Sequence, residues 1–211
     1  MTNRPTTTVI SGLYAITDDQ REGPAALSER VAAALDGGAR VIQYRDKSGD
    51  GDRRRAEAAA LAELCRSRGA TFIVNDDPEL AAELGAGLHL GADDPDLAAA
   101  RARITGPLGA SCYNDLERAR TAVAAGADYV AFGRYFPSTT KPDNPPADPA
   151  LLGRARAELG VPAVAIGGIT PENGGELVAA GADALAVIHG VFGAADIAAA
   201  ARRYAALFDA D

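Results

Sequence analysis

Residues 126–133 read Gly-Ala-Asp-Tyr-Val-Ala-Phe-Gly, and residues 181–188 read Gly-Ala-Asp-Ala-Leu-Ala-Val-Ile. Each phrase opens with a glycine after an Ala-rich stretch and then turns into a short β-rich run. Glycine at the end of a helix takes the left-handed conformation without steric cost, so the phrase closes a helix and launches a strand. Related joints stand at Gly37-Gly38-Ala39-Arg40 and Gly85-Ala86-Gly87. Working outward from them, strands are expected at 12–17, 40–45, 71–75, 87–90, 107–111, 128–133, 162–166 and 184–188. Helices are expected at 24–35, 52–68, 78–84, 96–104, 114–125, 149–159, 171–180 and 194–208. Strict β-then-α alternation calls for a parallel sheet, and eight unbroken units call for closure into a (βα)8 TIM barrel of the α/β class. An open doubly wound sheet would place a Gly-rich loop after the first strand, where this chain has Thr17-Asp18-Asp19.

The 211 residues suit one domain at the small end for this fold. Residues 1–10 are expected to form a flexible N-terminus. The polar, proline-rich stretch 136–148 is expected to be a mobile loop at the active site. A net charge of −8 argues against nucleic acid or an acidic membrane as partner, so an anionic substrate needs a local basic patch. Two cysteines without C-x-x-C spacing argue against a disulfide framework or zinc, and no apolar run reaches membrane-spanning length. A cytoplasmic protein is expected, and a homo-oligomer is compatible with the sequence.

In such a barrel the C-terminal ends of the strands build the active site. Asp76 and Asp94 follow consecutive strands, and two hard oxygen ligands completed by water and substrate phosphate describe a Mg²⁺ site. Helix capping is the other reading: Asp77 precedes Pro78, and Asp94 precedes Pro95 and a helix, but capping leaves Asp76 unexplained. Gln43, Arg45 and Lys47 alternate and would share one face if the strand persisted to Lys47, with Lys141 arriving from the long loop. Either these cations form the basic patch or they are solvated surface groups. A buried amide such as Gln43 must find partners. Gly167-Gly168 after the seventh strand and Gly190 after the eighth occupy the usual phosphate pocket of the fold, and Ser138, Thr139 and Thr140 can add hydroxyl donors. Two anion clusters imply two substrates. No Cys or His is expected beside an activating partner, no Gly-x-Ser-x-Gly elbow occurs, and no Lys projects from mid-strand. His89 reads as a packed, hydrogen-bonded core residue.

At these residues the chain resembles the thiamine phosphate synthase (thiamine-phosphate pyrophosphorylase) family. The shared segments are Gly12–Asp18, Gln43–Lys47, Asn75–Asp77, Gly87–Gly91 with Asp94, Gly109–Ser111, Gly126–Tyr129, Phe136–Pro142 and Ala165–Ile169, in order over almost the whole chain. The resemblance implies condensation of 4-amino-2-methyl-5-hydroxymethylpyrimidine diphosphate with a thiazole phosphate, or its carboxylated form, with release of diphosphate. It also implies that Gln43, Arg45, Lys47, Asn75, Ser111 and Lys141 bind the pyrimidine diphosphate, with Arg45, Lys47, Ser111 and Lys141 serving catalysis. Asp76 and Asp94 would hold Mg²⁺, while Ser138, Thr139, Thr140, Gly168, Ile188 and His189 would hold the thiazole phosphate. The chain departs from the family pattern at Ser138, His189, Ala92 and Arg134-Tyr135. A thiazole tautomerase-like isomerase and a non-catalytic phosphate-ligand-binding barrel are the rival readings; retention of the Asp76/Asp94 pair and Lys141 weighs against both.

Overall fold

The computed structural model describes residues 10–19, 23–91, 96–137 and 146–209. Eight parallel strands close in sequence order: β1 (Gly12–Ile16), β2 (Ala39–Tyr44), β3 (Thr71–Asn75), β4 (Gly87–Leu90), β5 (Leu108–Tyr113), β6 (Tyr129–Phe132), β7 (Ala163–Ile166) and β8 (Ala184–Val187). The helices around them are α1 (Pro24–Asp36), α2 (Gly51–Ser67), α3 (Pro78–Leu84), α4 (Leu97–Arg101), α5 (Leu116–Ala124), α6 (Ala150–Leu159), α7 (Gly174–Ala179), α8 (His189–Phe192) and α9 (Ile197–Ala205). The expected (βα)8 barrel is therefore the fold of the described chain.

Strand alternation divides the apolar residues into two cores. Tyr14, Ile16, Val41, Ile73, Tyr129, Ala131, Val164, Ala184 and Ala186 fill the cylinder. Their neighbours, such as Leu13, Ile42, Val74, Leu88, Val130 and Leu185, face the helices and pack on Val31, Leu61, Ala81, Leu152 and Leu177. The inward filling is uneven. Gly109 faces inward on β5, and a methyl group there would collide with the ring of Tyr129. Its missing side chain leaves Tyr129 room to lie across the interior.

The two opening phrases make the same joint twice. Asp128 donates its N–H to the carbonyl of Leu108 at 2.7 Å, and its carboxylate accepts from the Leu108 N–H at 2.9 Å. Asp183 does the same to Ala163, at 2.9 Å in both directions. Pro107 and Pro162 stand one residue before these strands rather than opening them. Their free carbonyls still accept from Leu88 and Val130, so nothing is lost where the ring removes an N–H.

Several boundaries differ from expectation for identifiable reasons. Aspartate caps set the starts of α2, α3, α4, α5 and α9, through Asp50, Asp77, Asp96, Asp115 and Asp196. Strand β5 runs on to Tyr113 through an irregularity between Ser111 and Tyr113. The eighth strand stops at Val187, and the unexpected four-residue helix α8 begins at His189.

Candidate active site

At the C-terminal ends of the strands lies a cavity of about 430 Å³, in the size range of small-molecule sites. Gln43, Arg45, Asn75, His89, Ser111 and Tyr113 form one side of its lining. Gly167, Gly168, Ile169, Thr170, Ile188, His189 and Gly190 contribute another part. Of the sequence-derived candidates, the structure thus brings Gln43, Arg45, Asn75, Ser111, Gly168, Ile188 and His189 to one cavity. Asp94, Ser138, Thr139, Thr140 and Lys141 lie outside the described residues, as do Ala92 and most of the long loop.

Gln43 is buried and donates from Nε2 to the Tyr14 hydroxyl at 2.7 Å, which answers the demand for a partner. Arg45 follows directly on the end of β2. Its main chain is clamped by Thr17, whose Oγ1 accepts from the Arg45 N–H at 2.9 Å and donates to the Arg45 carbonyl at 3.3 Å. Its guanidinium meets Asp19 at 3.2 Å, and because Asp19 is well exposed this pair contributes little energy and leaves the cation available. Lys47 does not share the face of Gln43 and Arg45. The strand ends at Tyr44, the chain bends, and the Lys47 Nζ sits 2.9 Å from Asp76 instead of on the cavity wall.

A network behind the wall sets that bend. Asp46 is tied to Arg53 at 2.5 Å and accepts from the Ser48 N–H at 2.6 Å, while the Tyr44 hydroxyl donates to Glu57 at 2.7 Å. Burial works to raise the Asp46 pKa, but the hydrogen bonds from Ser48 and the charge of Arg53 outweigh it and hold the carboxyl below its usual value.

Asp76 has φ 60°, the left-handed region, which Asp tolerates better than most residues. Its backbone N–H still reaches the His89 carbonyl at 3.0 Å. Its side chain is partly open, and Asp77 alone caps α3, accepting from the Leu80 N–H at 3.0 Å. The two adjacent aspartates therefore do different work. Among the described residues no cluster of three or more His, Cys, Asp or Glu is placed to hold a metal ion. A partly open carboxylate at the mouth, a hard oxygen donor, nevertheless suits Mg²⁺, which keeps several waters and takes few protein ligands.

The glycine wall is a cup of main chain. Gly167 and Gly168 have φ 104° and 66°, conformations that a side chain would strain. The Asn173 amide donates to the Gly168 carbonyl at 3.1 Å and accepts from the Thr170 N–H at 2.8 Å. From α9, the Tyr204 hydroxyl donates to the Ile169 carbonyl at 3.0 Å. The start of α8 adds first-turn N–H groups, which favour an anion. Arg30 braces the far end of α8: it donates to the Phe192 carbonyl at 2.8 Å while gripping Asp18 at 2.9 and 2.8 Å.

Four of these supports, Thr17, Asn173, Tyr204 and Arg30, escaped the sequence reading. Asn173 and Tyr204 fall inside the expected helices 171–180 and 194–208, where nothing in the sequence marks their side chains for a role. The contact between His89 and Ser111 also lay beyond the sequence reading. His89 Nε2 is 3.0 Å from Ser111 Oγ, because β4 and β5 are neighbours and both residues point inward. The other nitrogen, Nδ1, faces the Tyr129 hydroxyl at 3.0 Å rather than a carboxylate. His89 is thus both hydrogen-bonded, as expected, and part of the cavity wall.

A closed βα barrel with a cavity of small-molecule size at its mouth, lined by Arg45 and Ser111 and by the main chain of Gly167 and Gly168, has the layout of a barrel enzyme acting on small molecules. The profile of the thiamine monophosphate synthase family matches residues 13–191. The chain is 57% identical over 204 residues to the thiamine-phosphate synthase of Chromobacterium violaceum, covering 95% of this chain and 98% of that one. It is 52% identical over 200 residues to that of Halorhodospira halophila, covering 93% and 94%. Among solved structures, a thiamine phosphate pyrophosphorylase from Pyrococcus furiosus superposes with a TM-score of 0.83 at 33% identity, covering 94% of this chain and 95% of that one. The chain belongs to the thiamine monophosphate synthase family.

Proposed function

We propose that this chain, a transferase of that family, joins 4-amino-2-methyl-5-hydroxymethylpyrimidine diphosphate to 4-methyl-5-(2-phosphooxyethyl)thiazole or its carboxylated form. The products are thiamine phosphate and diphosphate, and the carboxylated thiazole additionally releases its carboxylate as CO2. One observation carries the reading: the same cavity is lined by Arg45 with Ser111 and by Gly167 and Gly168 with the start of α8, two sets of groups suited to anions. Two phosphorylated substrates can therefore meet with their phosphates apart and their rings together.

The bond between the pyrimidine methylene carbon and the diphosphate oxygen breaks, and diphosphate leaves with the electron pair. The thiazole nitrogen then forms the new bond with its own lone pair. That nitrogen carries no proton, so no general base is needed, and the work left to the protein is to stabilise the departing charge. Arg45, Ser111, Lys47 and Lys141 are the donors proposed for it, with Gln43 and Asn75 orienting the pyrimidine. Gly168, Ile188 and His189, with Ser138, Thr139 and Thr140, are proposed to hold the thiazole phosphate. Asp76 and Asp94 would hold Mg²⁺, which when bound neutralises diphosphate charge as a Lewis acid. Pure protein mixed with both substrates and Mg²⁺ should yield thiamine phosphate and equimolar diphosphate; absence of either product would overturn the reading.

A further inference from the structure

Five inward side chains form one unbroken hydrogen-bonded line across the barrel, from β2 to β5. Gln43 Nε2 lies 2.7 Å from the Tyr14 hydroxyl, which lies 2.9 Å from the Tyr129 hydroxyl. The Tyr129 hydroxyl lies 3.0 Å from His89 Nδ1, and His89 Nε2 lies 3.0 Å from Ser111 Oγ. The rings are packed as well as bonded: Tyr14 and Tyr129 have centroids 6.2 Å apart, and His89 stacks on Tyr129 at 5.6 Å.

Each interior member of this line, Tyr14, Tyr129 and neutral His89, carries one proton to give and one lone pair to offer along it. The line therefore has only two self-consistent senses, and fixing one end fixes the other. The Gln43 amide supplies the fixed end, since its N–H₂ group faces Tyr14 and its oxygen is left on the cavity side. Tyr14 then donates to Tyr129, Tyr129 to His89 Nδ1, and His89 Nε2–H to Ser111 Oγ. Burial pushes the Tyr14 and Tyr129 hydroxyls above their ordinary range, so neither oxygen gives up its proton and breaks the count.

We infer that Tyr14, Tyr129 and His89 are positioning residues that hold His89 as the neutral Nε2–H tautomer and leave the Ser111 hydroxyl with only one use for its proton, donation into the cavity. Gln43 at the opposite end presents an acceptor. The line thereby fixes an acceptor at one place and a donor at another before any substrate arrives. Opposite polarity would put a lone pair of Ser111 against incoming phosphate oxygens. The inference deepens the proposed reaction and rests on it for the identity of the anion at Ser111, but the proton order itself does not depend on that identity.

The chain has two histidines, so the imidazole nitrogens of ¹⁵N-labelled free enzyme can be assigned by the signals lost in His89→Gln. The expected spectrum has a protonated Nε2 and an imine-type Nδ1 for His89. An Nδ1–H tautomer, or an imidazolium, overturns the inference. In Tyr129→Phe the donor to Nδ1 is gone, so the single tautomer should be lost. The kcat for product formation should then fall roughly 10- to 100-fold, less than for deletion of a donor outright, with KM for the pyrimidine diphosphate little changed. A variant that folds with the tautomer and kcat both intact also overturns it, and should the variant fail to fold the free-enzyme spectrum still decides. That spectrum is recorded without substrate, so a wrong reaction leaves it standing, while product formed by an enzyme with the other tautomer sinks the relay alone.

Discussion

Asp76 concentrates the division between structure and chemistry in one residue. Its left-handed backbone and its pairing with exposed Lys47 contribute little stability, because a pair with one partner largely in water is screened. Replacing it with Asn keeps the tolerated backbone and the side-chain shape while removing the charge. Asp76→Asn should therefore melt within about 2 °C of the parent yet lose most of its turnover, as EDTA should also cause. Thermal melts run beside a diphosphate-release assay check this, and unchanged turnover would remove the carboxylate from the mechanism. The sequence marked Asp76 because capping could explain its neighbour and not it. No local pattern could mark Tyr14 or Tyr129. Both read as ordinary apolar members of strands, and they meet across 115 residues of chain, a contact only barrel closure creates.

At the scale of elements, the loop after β2 depends on a small ionic cluster that is partly out of water. Asp46 is held charged below its ordinary pKa, so its contribution is fully present above the unfolded-state value of about 4 and is lost as pH falls through the lower folded value. Asp46→Asn should cost about 1–2 kcal/mol near neutrality, after allowance for the exposure of Arg53. The gap between parent and variant should close below about pH 4 in urea titrations, and a gap that widens with acid would contradict the assignment. Helix α8 shows where element reading stops. Its four residues, His-Gly-Val-Phe, are too few for a helical period, and its cap is Ile188 rather than Ser, Thr, Asp or Asn. Four of the eight strands were legible through a repeated glycine-to-strand joint, and the others through short β-rich runs set between Ala-rich stretches.

For the molecule as a whole, closure leaves no strand edge and hides both thiols. Cys65 lies between α2 and the barrel and Cys112 on β5; both are buried, and burial pushes each thiol up to about 12. Neither should react with a disulfide reagent at mildly alkaline pH in the folded protein, and both should become reactive together when the barrel opens, as stopped-flow labelling in urea would report. Early labelling of one alone would show that part of the cylinder comes apart first.

The paired joints at Asp128 and Asp183 fasten the end of the barrel away from the cavity. Removing the Asp183 carboxylate leaves the Ala163 N–H without its acceptor, so Asp183→Ala should lower stability by about 1–3 kcal/mol while kcat/KM stays at the parental value. Durability and selectivity are thereby assigned to opposite rims. A designer could graft new loops over the mouth to change what the catalyst accepts, or reinforce the base to make it withstand heat, with neither alteration trespassing on the other.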